Sequence, residues 1–410
     1  MTIESVVAGS YSESLRRISE IQAAGNNHEA RGVAENAIVR FPKVIRVRDQ
    51  LTALSDSLGD VERALAVCVQ TAKIQVKRLE KQRLAENRPL RSLDENSRVF
   101  ICGYFYSGSG AVFDYLRDFP GMKGWTPAGE MRLIKFPGGM WDLVSRCKAQ
   151  QGLDAQALVD FYLHIKGKKL LTHGPGVYSS WGKVNQHSRG LWKKDGARYY
   201  LEVCLRCFLE LHRHWRKKVI KVKWLKGFFR EYLRQAFDAA ATENDASHLI
   251  IDQAINAFRL ELAALAPASK FIVVHRDPRD QFVDAAVALS RPGRKLPTAE
   301  EFSITYRERR DKGLAAIQSM EEKCGHRFLT MSFEDFVVNF SQAHRLVDNF
   351  LEITDMRRTG DFSIERSRVN VGKYREVLSE DQAAVFFRNN RDAISEYVTH
   401  AGVFDGLSSA

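Results

Sequence analysis

From residue 98 onward the chain alternates short, continuous apolar runs with stretches of helical periodicity. Val99-Phe-Ile-Cys102, Leu249-Ile-Ile251, Phe271-Ile-Val-Val274 and the run beginning at Phe328 are each too short for a helix and read as buried strands. After the first run comes a glycine- and serine-rich turn, Gly103 to Gly110, and then Ala111, Val112, Tyr115 and Leu116 fall on one helix face. Strands alternating with helices predict an α/β domain over residues 98–400, with a P-loop-like, mostly parallel sheet flanked by helices.

Residues 1–90 carry no strand pattern. Leu15, Ile18 and Ile21 mark a helix face, Gly25 to Ala30 breaks it, and the same punctuation returns at Gly59 to Ala64. The separation of 34 residues is the period of tetratricopeptide helix pairs, so an N-terminal all-α helical-hairpin region is expected. Ala37 and Phe41 sit where that repeat has a small residue and an aromatic, whereas the second copy has Thr71 and Gln75. A plain pair of hairpins is the alternative. Two such units are fewer than a free-standing solenoid needs, so a protein partner, self-association or the following domain is expected to cover them.

The turn from Gly103 to Gly110 has a physical use. Glycines let backbone N–H groups turn inward, and the helix that follows offers its positive end to an anion. The spacing from Gly103 to Gly108 is that of G-x-x-x-x-G, but Ser109 and Gly110 follow where an ATP-binding loop has Lys and Ser/Thr. A second candidate element is Phe271 to Asp280, an apolar strand that delivers Arg276 at its C-terminal end, where ligands gather in open α/β sheets. Asp252 and Gln253, at the end of another apolar run, are expected to face the same place.

Charge and cysteine content narrow the picture only a little. A net charge of +12 attracts anions of any kind. The eight Lys/Arg residues between Arg213 and Arg230 alternate with Trp215, Trp224, Phe228 and Phe229, which reads as one basic, aromatic helix. It could line a groove for an acidic chain or be a solvated face; a nucleic-acid role is disfavoured because basic residues are spread along the whole chain. Six cysteines are too few for a disulfide framework. Cys204 and Cys207, followed by His212 and His214, lie in a helical stretch and lack usual zinc spacing, so no metal is expected. No apolar run reaches the roughly 20 residues of a membrane span and no signal pattern opens the chain, which predicts a cytoplasmic protein.

The motifs together resemble the sulfotransferases that use 3′-phosphoadenosine 5′-phosphosulfate (PAPS). Ser107-Gly108-Ser109 is similar to their 5′-phosphosulfate loop, and Arg276-Asp-Pro-Arg-Asp280 to their 3′-phosphate segment. Phe328 to Phe336 resembles their strand ending in Tyr/Phe-Glu-Asp, and Val371-Gly-Lys-Tyr-Arg375 their basic C-terminal donor loop. The resemblance implies a donor site made by Ser107, Gly108, Ser109, Gly110, Arg276, Asp284, Gly372, Lys373 and Arg375, with PAPS as donor and no metal. It implies a carbohydrate hydroxyl as acceptor, Glu130 as base and His173, in a glycine- and aromatic-rich loop, as fallback base.

Two positions depart from the pattern. Tyr106 stands where the family has Lys or Arg before Ser-Gly, and Asp284 stands where it has a serine eight residues after the arginine. Tyr106 would donate a hydrogen bond to the bridging oxygen, with Arg132, Lys135 or Lys223 supplying charge. A carboxylate at 284 repels a phosphate unless Lys373 or Arg375 intervenes. Two other readings stay open: a P-loop kinase, and a non-catalytic partner-binding protein with a degenerate nucleotide fold.

Overall fold

The computed structural model describes residues 11–86, 90–94, 97–104, 106–124, 133–166, 198–266, 269–289, 296–324, 327–353, 357, 359–360 and 362–401. They fall into two compact units: residues 1–90 with 135–243, and residues 91–134 with 244–410.

The first unit is helical. Its N-terminal part is α1 (Tyr11–Ala23), α2 (Asn27–Arg40), α3 (Ile45–Ser57) and α4 (Val61–Ala85). The 34-residue spacing is reproduced in the turn that joins the two helices of each pair. Gly25 and Gly59 take left-handed φ values of +80° and +76°, which ends one helix without a Cβ penalty. Asn26 and Asp60 then cap the next helix, each side chain accepting from a backbone N–H three residues on, Glu29 and Arg63, at 3.2 Å. Ile18, Ile21, Ala30, Ala34, Leu51, Leu54 and Val67 form the shared core. The unit continues with α5 (Met140–Gln150), α6 (Ala155–Ile165), α7 (Arg198–Trp215) and α8 (Val222–Asn244). The basic stretch expected as one helix is therefore two, since α7 ends at Trp215 and α8 begins at Val222. Buried Ile220 pins the turn between them, its carbonyl accepting from the Cys147 thiol at 3.2 Å. Cys204 and Cys207 are ordinary buried residues of α7, and burial pushes the Cys204 thiol up to about 12.

The second unit is built on five parallel strands: β1 (Arg98–Gly103), β2 (Met122–Gly124), β3 (His248–Asp252), β4 (Lys270–His275) and β5 (Arg327–Ser332), in the order β2-β3-β1-β4-β5. The expected α/β, mostly parallel architecture is present, with β1 buried along its whole length at the centre. Ile101 pairs with Asp252 on one side and Ile272 on the other. Because side chains alternate across a strand, Val99, Ile101, Ile272 and Val274 enter one core, whereas Phe100, Phe271 and Phe328 stack on the other face with ring centroids 5.2 and 5.1 Å apart. The first core is closed by α9 (Ser109–Arg117) and α10 (Phe340–Leu351). Tyr115 sits in its middle with its hydroxyl on Asp348 at 2.7 Å, and it meets Phe119, Phe336, Phe340 and Phe362 edge-on. Strand order reverses about β1, so the loops that leave β1, β3 and β4 converge at one end of the sheet, the usual place for a ligand in such folds.

Candidate active site

The loop after β1 is held in an unusual conformation by its surroundings. Tyr106 has φ +61° although it is not glycine, and Gly108 has φ +82° at the cap of α9. A Cβ on Gly108 would lie 2.2 Å from the ring of Phe333, so glycine is required both by the backbone angle and by the aromatic wall behind it. A Cβ on Gly103 would likewise meet Ser107 Oγ at 2.4 Å, with Gln253 Nε2 beside it at 3.0 Å. Gln253, as expected, comes to the loop from β3, and its amide donates to Ser109 Oγ at 2.6 Å. Ser107 is 1% exposed, and its hydroxyl has no hydrogen-bond partner among the described residues. A hydroxyl buried without a partner is costly in a finished loop. Together with the N-terminal N–H groups of α9, it fits the oxygens of an anion.

Arg276 follows β4 and reaches this loop. Its Nη1 donates to Tyr106 O at 2.9 Å and to Asp284 Oδ2 at 2.5 Å, and its Nη2 donates to Asn370 O at 2.6 Å. The guanidinium also lies 5.0 Å above the Phe333 ring, and the residue is 2% exposed. One side chain thus ties the β1 loop, α11 (Pro278–Leu289) and the segment around residue 370 together. Asp284 lies between two cations, since Lys373 Nζ meets its other oxygen at 3.3 Å. Asp284 therefore works first as the internal counter-ion of this corner, and Lys373 is the cation that the sequence reading asked for.

The rest of the basic segment is clamped by one carboxylate, 92 and 94 residues from the two backbone N–H groups it holds. Asp280 accepts the N–H groups of Gly372 and Tyr374 at 2.7 and 2.9 Å. Burial, with Asp277 nearby, nevertheless raises Asp280 to about 6. Arg279 grips Asp277 through two nitrogens and stacks 3.8 Å from the Tyr374 ring, while Arg375 is exposed. Asp277 in turn donates its N–H to Glu334 Oε1 at 2.9 Å. Burial pushes Glu334 up to about 8, and its second oxygen has no hydrogen-bond partner among the described residues. Phe333 and Glu334 open α12 (Phe333–Val338), so the expected Phe-Glu-Asp motif follows β5 as a helix start. Ser332 caps it by accepting from Asp335 N–H at 2.9 Å.

The structure thus brings together Tyr106, Ser107, Gly108, Ser109, Gly110, Arg276, Asp284, Gly372 and Lys373, with Arg375 at the margin. Glu130, Arg132 and His173 lie outside the described residues, and Lys135 and Lys223 fall in the other compact unit. Sequence reasoning missed Asp280 as the clamp and Phe333 as the wall; an aromatic two residues before an acidic one was visible, but nothing local placed it behind Gly108. Among the described residues no cluster of three or more His, Cys, Asp or Glu side chains is arranged to hold a metal.

Residues 178–356 match the Sulfotransferase family, a stretch that contains β3, β4, Arg276 and β5 but neither the β1 loop nor residues 370–375. No curated protein matches the chain. Among solved structures it is similar to sulfotransferase STF1 from Mycobacterium tuberculosis H37Rv, at 10% identity, 79% of this chain and 91% of that one, with a TM-score of 0.36. It is also similar to sulfotransferase STF9 from Mycobacterium avium, at 13% identity, 78% and 76% coverage and a TM-score of 0.34. The matched stretch, residues 178–356, supplies Arg276, Asp284 and two of the three strands whose ends meet at the site, and it is this part of the chain that is similar to the Sulfotransferase family.

Proposed function

We propose that the chain transfers a sulfuryl group from PAPS to a hydroxyl, most simply that of a carbohydrate. The observation that carries the reading is the β1 loop: a buried Ser107 hydroxyl that has no partner among the described residues, beside the N-terminus of α9, with Arg276 from the neighbouring strand bonded to the same loop. The donor supplies an activated sulfuryl group. Ser107 Oγ and the N–H groups at the start of α9 hold its 5′-side oxygens, and Arg276 with Lys373 faces its 3′-phosphate once Asp284 is displaced. Tyr106 donates a hydrogen bond toward the bridging oxygen, and Glu130, or His173 in its absence, accepts the acceptor's proton. Positioning and charge stabilisation carry such a reaction, without a metal. The reaction is placed in the cytoplasm, and the N-terminal hairpins are read as the surface for a protein partner or a second copy.

Calorimetric binding of 3′-phosphoadenosine 5′-phosphate (PAP) to the wild type and to Ser107→Ala, with and without Mg²⁺, tests the donor site. Metal-independent binding weakened about tenfold in the variant is expected, the size of one charge-assisted hydrogen bond. Magnesium-dependent ATP binding in place of PAP binding would revive the kinase. A second reading, a nucleotide fold without turnover, is favoured by Asp284, because the guanidinium that should grip a phosphate is already engaged. Tight PAP binding with no sulfuryl transfer to any glycan would select it.

A further inference from the structure

A second cationic region lies wholly within the helical unit. The end of α7 and the middle of α4 enclose a groove of about 590 Å³, within the size range of ligand sites. Its floor is apolar: Val69 and Val76 of α4, Leu209 of α7 and the ring of Tyr232 of α8. Its rim is basic. Two of the rim cations are already compensated, Arg213 by Glu210 at 2.5 Å and Arg206 by Glu80 and Glu202 at 2.8 and 2.9 Å. Lys73, Arg216 and Lys217 are exposed and pair with no carboxylate among the described residues. His212, on the same wall, reports that field: its imidazole is held below the ordinary range by burial first and then by Arg216 and Lys73.

Three uncompensated cations above an apolar floor ask for an anion with an apolar face. Inorganic polyphosphate has the charge but no such face. A single-stranded nucleic acid would need open aromatic faces for its bases. Here the rings turn to each other, His214 on Trp224 at 3.8 Å and 9°, and Trp224 on Phe228 at 4.8 Å and 20°. A pyranose ring bearing carboxylate or sulfate has both properties, since its C–H face is apolar and its substituents are charged. Tyr232 also lines a second hollow, of about 660 Å³, with Lys221, Lys223 and Trp224, so the surface continues for more than one sugar. We propose that this groove binds an acidic oligosaccharide, with its anionic groups on Lys73, Arg216 and Lys217 and its ring faces on the floor beside Tyr232. The site needs no nucleotide, so it stands or falls apart from the donor reading.

The test is calorimetry on the full chain at low and high salt, with tetragalacturonate as probe and neutral cellotetraose as control. Tetragalacturonate should bind at one site, weaken as salt rises, and lose about tenfold in the double variant Lys73→Gln, Arg216→Gln, whose exposed positions leave the fold intact. Tyr232→Phe should bind as the wild type does and Tyr232→Ala more weakly, since the ring rather than the hydroxyl forms the floor. Equal affinity for the two sugars, or no response to the double variant, overturns the proposal. So does tighter binding of a uridine hexanucleotide or of decyl sulfate that is lost in the same double variant, because the groove would then belong to a different anion.

Discussion

Arg276 and Lys373 at the end of the sheet, and Lys73, Arg216 and Lys217 along the helical groove, are two cationic clusters that differ in where their counter-charges sit. The first carries its own: Asp284 accepts from both cations, and carbonyls of Tyr106 and Asn370 accept further bonds from the Arg276 Nη atoms. The second has none among the described residues. The cause is solvation. A guanidinium side chain left 3% exposed cannot be stabilised by water, and an isolated buried charge costs far more than folding can absorb. An exposed lysine meets no such demand. Charges in the first cluster are consequently part of the fold before they serve any ligand, and those in the second are available to one.

Removal of one cation from each cluster should separate these roles most clearly. Arg276→Ala leaves Asp284 with Lys373 alone and unties the β1 loop from residue 370, so a loss of about 4 kcal/mol in unfolding free energy is expected. Arg216→Ala should cost less than about 0.5 kcal/mol. Denaturant unfolding of the two variants decides the point, and comparable midpoints would erase the distinction.

Next in size is Gly108→Ala. The φ of +82° and the Phe333 ring 2.2 Å from the new Cβ both oppose it, a combined cost of about 3 kcal/mol. The same change at Gly110, where a Cβ meets nothing within 4 Å, should be neutral or slightly stabilising, because alanine favours the first turn of α9. Thermal unfolding of the pair reads the difference, and equal melting temperatures would mean that the loop is not held against Phe333.

Glu334 probes the same corner through pH. Its folded value of about 8 lies above the ordinary carboxylate value of 4.5, so the folded state keeps a proton that the unfolded chain has released. Stability from this group is therefore full below about pH 4.5, falls as pH rises toward 8, and carries the whole penalty above that. Glu334→Gln keeps an oxygen for the Asp277 N–H and removes the charge. After the cost of a buried carboxamide it should gain about 2 kcal/mol at pH 9, where the charge penalty is removed, and lose about 2 to 3 kcal/mol at pH 4, where only that cost remains. A gain that does not change between those pH values would show that Glu334 is not protonated in the folded chain.

Legibility in the sequence followed the range of the interactions. The strand, loop and helix around Gly108, the position of Arg276 and the paired glycines at 25 and 59 depend on local period and backbone permission, and each stands where the pattern put it. The grouping of residues 135–243 with the N-terminal helices depends on contacts between distant segments, and nothing in the local pattern carries it. The same is true of the Asp280 clamp on Gly372 and Tyr374, which joins residues 92 and 94 apart. The basic run from 213 to 230 was legible as composition but not as two helices, because only the burial of Ile220 marks the turn. Asp284 is the instructive case. Its departure from the expected serine was visible, but its role as the bridge between Arg276 and Lys373 needed the fold.

That bridge gives the smallest and most discriminating prediction. In the proposed donor site a 3′-phosphate approaching Arg276 and Lys373 must displace the Asp284 carboxylate, which already satisfies both cations. Asp284→Ser removes the competitor and leaves a hydroxyl that can itself bond a phosphate oxygen. PAP should then bind about tenfold more tightly, about 1.4 kcal/mol, whereas adenosine 5′-phosphate, which lacks the 3′ group, should change little. The variant should also melt markedly lower, since the buried Arg276 guanidinium loses its counter-ion. Calorimetry with the two nucleotides separates the terms. A gain confined to PAP would place the 3′-phosphate at Arg276 and make Asp284 a brake on donor affinity. An equal change for both nucleotides, or a loss for PAP, would mean that Arg276 serves only to tie the loops together and that the donor's 3′ end is held elsewhere.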